Sequence, residues 1–384
     1  MEQRGCSGSQ LARDLGVSQS WVSHASRGEK DTSTANAIRL LASVGWELVI
    51  RPKWEESDSV KRRDFHRRVI AVGAASAAEA ARSAVFVPSS VANPLQDPVY
   101  LRELATRLMH SRREHGGIPL LSRAMNLHRG VMPLIKSRNE DLLVSASELT
   151  GAITQVLGDT RRFNAAESTG EFALALAQRA NDAEAQGHAL RNLSFISLTR
   201  GNGELGAMYA QRGLRLPGIT PLLQSKLNMC LARSSALVHG QETEARRALD
   251  NALSFEALSA FDAANNLGHV GCVLDSLQKY ESAYSALDDA VADLAQWSPL
   301  LQAQTLTRQI ESVLRIPEPY KAADRMLMLG RILPFVSSVR VYEDAHGILK
   351  VSKKWEKVPE MRAAREFLRN IAPPTVASNP RNPA

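Results

Sequence analysis

The chain has 384 residues, enough for two or three domains, and its 44% hydrophobic and 23% charged residues exclude a wholly disordered or collagen-like protein. Aromatic residues make up only 5%, and this composition favours helices packed through small side chains over a β-sandwich or barrel. The 47 Lys and Arg against 40 Asp and Glu give a net charge of +7, which permits a polyanionic partner. We predict an all-α protein.

The first elements are two short helical patterns that meet at Gly16 within residues 9–28. Glycine suits a turn because it adopts left-handed backbone without a steric penalty. Ala12 is small enough for a crossing helix to pass close to it, and Ser18 stands where the second helix needs an N-cap. The spacing predicts a helix-turn-helix within residues 1–52.

The order Gln-Leu-Ala-x-x-Leu-Gly-Val-Ser-Gln-x-x-Val-Ser-x-x-x-x-Gly, residues 10–28, resembles the xenobiotic-response-element and phage-repressor type of DNA-binding domain. That resemblance implies that Gln10 holds a phosphate of double-stranded DNA and that Gln19 and Ser20 read bases, Gln19 pairing with an adenine edge. It places further contacts near the groove or the backbone at Ser18, Trp21, Ser23, His24, Arg27 and Lys30. The alternative at each position is a solvated polar residue, or for Trp21 a core or dimer contact.

One part of the family pattern is missing. The family domain begins with a full helix before the Gln-Leu-Ala stretch, whereas only residues 2–6 stand where that helix should end. Three explanations remain open: the start lies further upstream, a partner chain completes the module, or the module has lost its affinity for DNA.

A helix is predicted over residues 34–44, closed by Gly45, and a strand over residues 46–52. In some relatives of the resembled family such a strand pairs with its symmetry mate, which implies a homodimer. An ordinary strand packed on its own domain is the alternative.

Residues 53–98 are charged, then Ala-rich, then Pro-containing, a composition typical of a linker. The basic cluster within residues 61–68 either adds nonspecific phosphate contacts or is a solvated helix face. Residues 61–78 also look like a twin-arginine export signal, but they begin late, and Glu79 and Arg82 leave the apolar run too short to span a membrane. We therefore expect a cytoplasmic protein without a membrane contact. An exported protein, cleaved near Ala78, is the alternative.

Beyond residue 98, pairs of small residues seven positions apart recur at intervals of about forty. The pairs are Ala166 with Ala173, Gly206 with Gly213, Ala245 with Ala252, Ala283 with Ala290, and Ala323 with Gly330. Seven residues are about two helical turns, so each pair places two small side chains on one face of a helix. This period predicts a solenoid. A generic antiparallel bundle rich in alanine is the alternative.

The repeat resembles the tetratricopeptide repeat, which implies a right-handed α-solenoid over residues 99–372, with capping helices from residue 336 and a disordered tail at 373–384. The repeats are degenerate. Their period exceeds the usual 34 residues, and the turn glycine found at Gly201 and Gly240 is replaced at Arg161, Gln278 and Glu318.

The inner helices of such a solenoid carry the binding surface. Amide and guanidinium side chains on the predicted inner helices are Arg191, Asn192, Asn228, Arg233, Asn265 and Asn266. An Asn amide donates to and accepts from a peptide backbone, and Arg takes a terminal carboxylate. The sequence therefore favours a peptide or protein ligand, against the alternative of ordinary polar helix surface.

No pattern of catalytic or metal-binding residues stands out. The sequence has no HExxH, P-loop or GxSxG motif, and its three cysteines are widely spaced without a CxxC pair. We expect that the protein is not an enzyme, that it binds no cofactor and no metal, and that it resides in a reducing compartment.

Taken together, the chain resembles bacterial transcriptional regulators that join a helix-turn-helix to a tetratricopeptide-like sensor. The resemblance implies a homodimer on two half-sites whose spacing responds to a ligand. The alternative is an interaction scaffold with a vestigial helix-turn-helix that does not bind DNA.

Overall fold

Fourteen α-helices account for most of the residues that the computed structural model describes, which are 94–255 and 258–373. They are α1 Pro98–His115, α2 Leu121–Val131, α3 Glu140–Asp159, α4 Phe163–Arg179, α5 Ala183–Thr199, α6 Gly203–Leu214, α7 Pro221–Ser235, α8 Glu242–Leu253, α9 Ala260–Ser276, α10 Tyr280–Leu294, α11 Pro299–Val313, α12 Pro319–Ile332, α13 Val339–Val351 and α14 Pro359–Ile371. Short 3-10 turns occupy Pro94–Gln96, Ile118–Leu120, Met132–Lys136, Leu333–Phe335 and Ser352–Trp355. Over these ranges no strand occurs, so the fold is all-helical as predicted. The predicted helix-turn-helix, the linker to residue 93 and the tail from residue 374 lie outside the described residues.

The helices form two layers, set by their order in the chain. Each odd-numbered helix packs against the next odd-numbered helix, from α1 to α13, and forms an inner layer. From α3 onward each odd-numbered helix also packs against the even-numbered helix that follows it, and these even-numbered helices form an outer layer. The long inner helix α3 is buried over most of its circumference, so it is covered on several sides.

Helix capping distinguishes the two layers. All seven inner helices begin at a side chain that accepts a hydrogen bond from a backbone N–H of the first turn: Asp97, Asn139, Asp182, Thr220, Ser259, Ser298 and Ser338. Of the seven outer helices described, only α6 has such a cap, from Asn202. Each cap contributes about 1 kcal/mol. The caps thus define where every inner helix starts, and with it the register of its inward face.

The five pairs of small residues all lie on outer helices, one pair each on α4, α6, α8, α10 and α12, and every member is buried. A Cβ on Gly213 would lie 2.7 Å from a methyl group of Leu227, so α7 packs directly against this face of α6. Inner-layer serines use the same close approach: the hydroxyls of Ser147, Ser194 and Ser225 donate to carbonyls of small residues on the adjacent outer helix, at 2.7–2.8 Å. The small residues thus bring the two layers into contact.

Four of the five predicted turn positions between inner and outer helices have a positive φ, whether or not they are glycine. Gly201 and Gly240 have φ of 86° and 79°, and Arg161 and Gln278 have φ of 58° and 59°. Glu318 differs, with φ of −118°. Replacement of the turn glycine therefore leaves the left-handed conformation in place in two of these three turns, at a conformational cost of about 1 kcal/mol each.

These turns provide a matched pair of substitutions. We expect Gln278→Gly to raise the free energy of unfolding by about 0.5–1 kcal/mol, because glycine adopts φ near 60° without strain. We expect Gly201→Ala to lower it by about 1 kcal/mol. No atom lies within 4 Å of the added Cβ, so backbone strain is the only cost. Urea titration of both variants measures the two changes in the free energy of unfolding. Changes of the same sign would contradict the assignment of strain to these turns.

The inner layer closes on itself. Helix α11 packs against α1 as well as against α9, so α1, α3, α5, α7, α9 and α11 form a ring. The Ser298 hydroxyl donates to the Arg113 carbonyl at 2.9 Å. The Ile118 N–H donates to the Ser337 carbonyl at 3.0 Å, and the Ser337 N–H donates to the His115 carbonyl at 2.7 Å. Backbone groups more than 180 residues apart in sequence thus join the two ends of the array.

Asp159, at the end of α3, is the centre of this closure. Its carboxylate is 3% exposed and accepts three hydrogen bonds: from the Gly117 N–H at 2.6 Å, the Gln304 amide at 3.0 Å and the Ser338 hydroxyl at 2.8 Å. A buried carboxylate is stable only when donors surround it in this way. Arg161 adds an ion pair to Asp344 at 3.1 Å across the same join.

Candidate functional site

A cavity of about 180 Å³ lies at the centre of the ring. The 23 residues that line it come from all seven inner helices and from none of the outer ones. The capped starts of the inner helices and the closure between α1 and α11 therefore determine how these side chains are arranged.

Five of the six predicted groove residues line this cavity: Arg191, Asn192, Arg233, Asn265 and Asn266. The sixth, Asn228 on α7, is not part of the wall, and its amide donates to the Gln224 carbonyl of its own helix at 3.0 Å. The predicted residues thus converge on one central cavity and do not spread along an extended groove.

Arginine dominates the charge of the cavity wall. Six arginines line it: Arg112, Arg113, Arg191, Arg233, Arg308 and Arg340. Arg308 is paired with Glu311 at 2.6 Å and with Asp344 at 3.4 Å. The other five have no carboxylate oxygen within 4.0 Å among the described residues. The single carboxylate in the wall, Asp262, is engaged by Lys226 at 3.0 Å. The cavity therefore carries an excess of positive charge.

Neutral amides hold several of these guanidinium groups in place. Arg112 donates to the Gln155 side chain at 3.4 Å, and Gln155 donates to Asn192 at 3.2 Å. Arg191 donates to the same Asn192 oxygen at 3.3 Å. On the opposite part of the wall Arg340 donates to Gln304 at 3.5 Å. These long contacts with neutral acceptors position the arginines without neutralising them.

Two phenylalanines complete the support of the arginines. The guanidinium carbon atoms of Arg233 and Arg340 each lie 5.7 Å from the ring centre of Phe195, and that of Arg113 lies 4.3 Å from the ring centre of Phe261. A desolvated cation–π contact contributes about 2 kcal/mol. It offsets part of the cost of burying these cations while leaving their N–H groups available as donors.

Burial lowers the pKa of Arg112, Arg113 and Arg340, in the last case to about 10. Arg308 behaves differently: burial lowers its pKa, but the carboxylates of Asp344 and Glu311 outweigh burial and raise it above the usual value. Arg112, Arg113 and Arg340 therefore carry their charge at an energetic cost.

His269 lies between these cations and is neutral. Burial lowers its pKa well below 6.5, and the charges of Arg233, Arg191 and Arg340 lower it further. Its Nδ1 lies 3.1 Å from a guanidinium nitrogen of Arg233, so Nδ1 accepts and Nε2 carries the proton. The Asn265 side chain is 3.2 Å from Nε2 and satisfies that proton when its oxygen faces the ring.

A neutral buried histidine makes stability depend on pH. Below pH 6.5 the unfolded chain binds a proton that folded His269 does not, so acid favours unfolding and stability rises with pH. Between pH 7.5 and 5.5 this residue alone costs at most about 1.4 kcal/mol. We expect His269→Asn, which keeps an acceptor for Arg233, to lose that much less stability than the wild type over the same interval.

Urea denaturation at the two pH values measures this difference. His110→Asn is the control, because His110 is an exposed histidine outside the cavity. A His269 variant with the pH dependence of the wild type would contradict the neutral state of this imidazole.

A second hollow, of about 670 Å³, lies at the surface beside the turn between α5 and α6. Its Arg200 is paired with its Glu167 at 3.3 Å. It is larger than the central cavity, but its one arginine is already paired, and its residues come from α4, α5, α6 and nearby turns instead of from all seven inner helices. We therefore assign the candidate site to the central cavity.

Residues 94–255 and 258–373 contain no group of three His, Cys, Asp or Glu side chains able to hold a metal ion. Over the same residues, every helix is too short or too polar to cross a lipid bilayer.

The predicted DNA-contacting residues all precede residue 94 and lie outside the described residues, so their contacts stay a prediction. The sequence analysis missed cavity residues at the two ends of the array, Arg112, Arg113, Gln304, Arg308 and Arg340. Their local sequence does not set them apart, since Arg308 is followed by Glu311 and Arg340 by Glu343 and Asp344 on the same helix. What makes them neighbours is the ring closure, which the repeat spacing does not encode.

No protein-family model matches the chain, and no curated protein matches it. The site is therefore interpreted from its own chemistry.

Proposed function

We propose that the chain is a cytoplasmic, ligand-responsive transcriptional regulator. Its N-terminal helix-turn-helix would bind double-stranded DNA as a homodimer, and its helical body would be a right-handed tetratricopeptide-like array that binds the controlling ligand. One observation carries the proposal: the polar, arginine-rich residues of all seven inner helices converge on one central cavity. Such a convergence of charged and amide groups is typical of a ligand site.

The ring closure supports a specific way of coupling ligand to DNA. A ligand held between the two ends of the array contacts α1, α5, α7 and α13 together, so it favours the closed ring over any opened form by its difference in affinity. Helix α1 begins four residues after the start of the described region and directly follows the predicted linker. A shift of α1 would therefore be passed to the DNA-binding module, whose two half-sites require a fixed spacing.

A gel shift on the DNA upstream of the gene tests the regulatory role. We expect specific retardation, weakened about 5- to 150-fold by Gln19→Ala, because a bidentate contact to a base contributes about 1–3 kcal/mol. Gln178→Ala, an exposed position on α4, is the matched control and should leave retardation unchanged.

The ligand response is the second half of that test. Adding the small-molecule fraction of a cell extract should change the retardation of the wild-type chain. Absence of specific retardation at low salt, also with upstream codons restored, would overturn the proposal and favour the interaction scaffold.

A further inference from the structure

We propose that the central cavity binds a small oligoanion, a molecule with two or more phosphate or carboxylate charges bridging arginines on opposite sides of the ring. The inference rests on the proposed function for its role as the controlling ligand, and it names the chemical class of that ligand. It follows from unmatched charge, unused hydrogen-bond donors and the size of the cavity.

The cavity wall carries more positive than negative charge. Five arginines from four helices, α1, α5, α7 and α13, have no carboxylate within 4.0 Å among the described residues. Two of them, Arg112 and Arg340, are only 4% and 7% exposed. Buried charges are normally paired, because an isolated one costs several kcal/mol. A ligand that carries the missing negative charge converts this cost into binding energy.

Unused donors lie on the same wall. The Nε atoms of Arg112 and Arg340 and the amide nitrogen of Asn266 are buried and make no hydrogen bond within the described part of the chain. A buried donor without a partner costs about 1–3 kcal/mol. All three belong to cavity-lining residues, so acceptors are what the site lacks. Phosphate and carboxylate groups supply several acceptors each, and arginine binds both in a bidentate manner.

The cavity volume limits the size of the ligand. About 180 Å³ is well below the 300–1,000 Å³ that drug-sized ligands require. It is too small for an extended peptide, and a DNA duplex cannot enter it. Arginines already lie over the rings of Phe195 and Phe261, which leaves less aromatic surface for a nucleobase to stack on. The features together favour a compact anion over the peptide or protein ligand predicted from the sequence.

Two alternative ligand classes fit the wall less well. A cationic ligand would meet up to seven positive groups against the one carboxylate of Asp262. A neutral apolar ligand would leave the donors of Arg112, Arg340 and Asn266 unsatisfied and their charges desolvated. Neither class supplies the negative charge and the hydrogen-bond acceptors that the site lacks.

The test is calorimetric titration of the full chain, without DNA, with pyrophosphate, inorganic phosphate and citrate at constant ionic strength. Putrescine, a dication, is the control ligand. We expect saturable binding of pyrophosphate or citrate, tighter than that of inorganic phosphate, and none of putrescine. Pyrophosphate alone would assign a phosphorylated ligand, and citrate alone a polycarboxylate.

Substitutions locate the binding. Arg112→Gln should weaken it at least about 10-fold, since a charge-assisted hydrogen bond contributes about that factor. Arg102→Gln is the matched control, because Arg102 lies on the same helix but pairs with Asp141 at the surface, and binding should be unchanged. Arg191→Gln, at a half-buried position, repeats the test if the Arg112 variant does not fold.

Three results would overturn the inference: no oligoanion binds, Arg112→Gln and Arg191→Gln bind as tightly as the wild type, or only a peptide binds. Failure of the proposed function is distinct. Oligoanion binding that does not alter the gel shift would leave the inference standing and refute regulation by this ligand. A gel shift that responds only to a neutral or peptide ligand would leave the regulatory role standing and refute the oligoanion as the controlling ligand.

Discussion

Asp159→Ala is expected to lower the free energy of unfolding by about 3–5 kcal/mol, one of the largest effects of any single substitution in the helical body. The substitution removes the acceptor of three buried donors: the Gly117 N–H, the Gln304 amide and the Ser338 hydroxyl. Each donor left without a partner costs about 1–3 kcal/mol, and only part of this is recovered by water that enters the space.

The location of the lost stability distinguishes this prediction from general destabilisation. Asp159, at the end of α3, binds Gly117 in the turn between α1 and α2 and Ser338 at the start of α13. Its loss should therefore release the contact between the two ends of the array. Amide hydrogen exchange should therefore increase first at Ile118 and Ser337, whose N–H groups donate across the closure. Exchange within α5 and α7, which pack on each other away from the closure, should change least.

A control on the same helix tests whether burial is the cause. Asp141 stands in the first turn of α3, is 58% exposed and pairs with Arg102, so Asp141→Ala should cost under about 1 kcal/mol. Urea titration measures both variants. An Asp159 variant no less stable than the Asp141 variant, or one with uniform exchange, would contradict the closure as described.

Much of the helical body could be predicted from the sequence, because its signals are local. The paired small residues, such as Ala283 and Ala290, report that a second helix must come close, and they lie buried on outer helices as this requires. The helix ends follow from capping residues and prolines that are adjacent to them in the sequence. The missing turn glycines do not change the backbone at Arg161 and Gln278, because a non-glycine residue adopts the left-handed conformation when the packed helices on both sides impose it.

The centre of the ring could be predicted only in part. Asn192 and Arg233 were found because they lie on inner faces, and inner faces follow from the repeat. Arg112 and Arg340 were not, because they belong to helices 228 residues apart that meet only through closure. Closure depends on Asp159 finding Gln304 and Ser338, and such long-range contacts leave no periodic pattern in a single sequence.

Arg340→Met is expected to raise the free energy of unfolding by about 1–3 kcal/mol in a buffer without oligoanions. Burial lowers the pKa of Arg340 to about 10, and the guanidinium groups of Arg308 and Arg233 act in the same direction, so the folded state holds this charge at a cost. Between pH 6 and 8 the residue is protonated both folded and unfolded, so the cost is constant there. Methionine keeps the straight apolar chain and removes the unpaired charge.

This stabilising effect should shrink when the oligoanion is present. A ligand at about 100 times its dissociation constant stabilises the wild type by about 2.7 kcal/mol, and the variant, which binds it more weakly, gains less.

Arg308→Met is the matched control in the same cavity. Arg308 is paired with Glu311 and Asp344, so its loss removes the ion-pair partner of Glu311 and one of the two partners of Asp344, and it should destabilise the chain in both buffers. Thermal unfolding with and without pyrophosphate and citrate measures all three proteins. If Arg340→Met destabilises the anion-free chain as Arg308→Met does, then Arg340 serves the fold, and the unmatched charge of the cavity is no sign of a ligand.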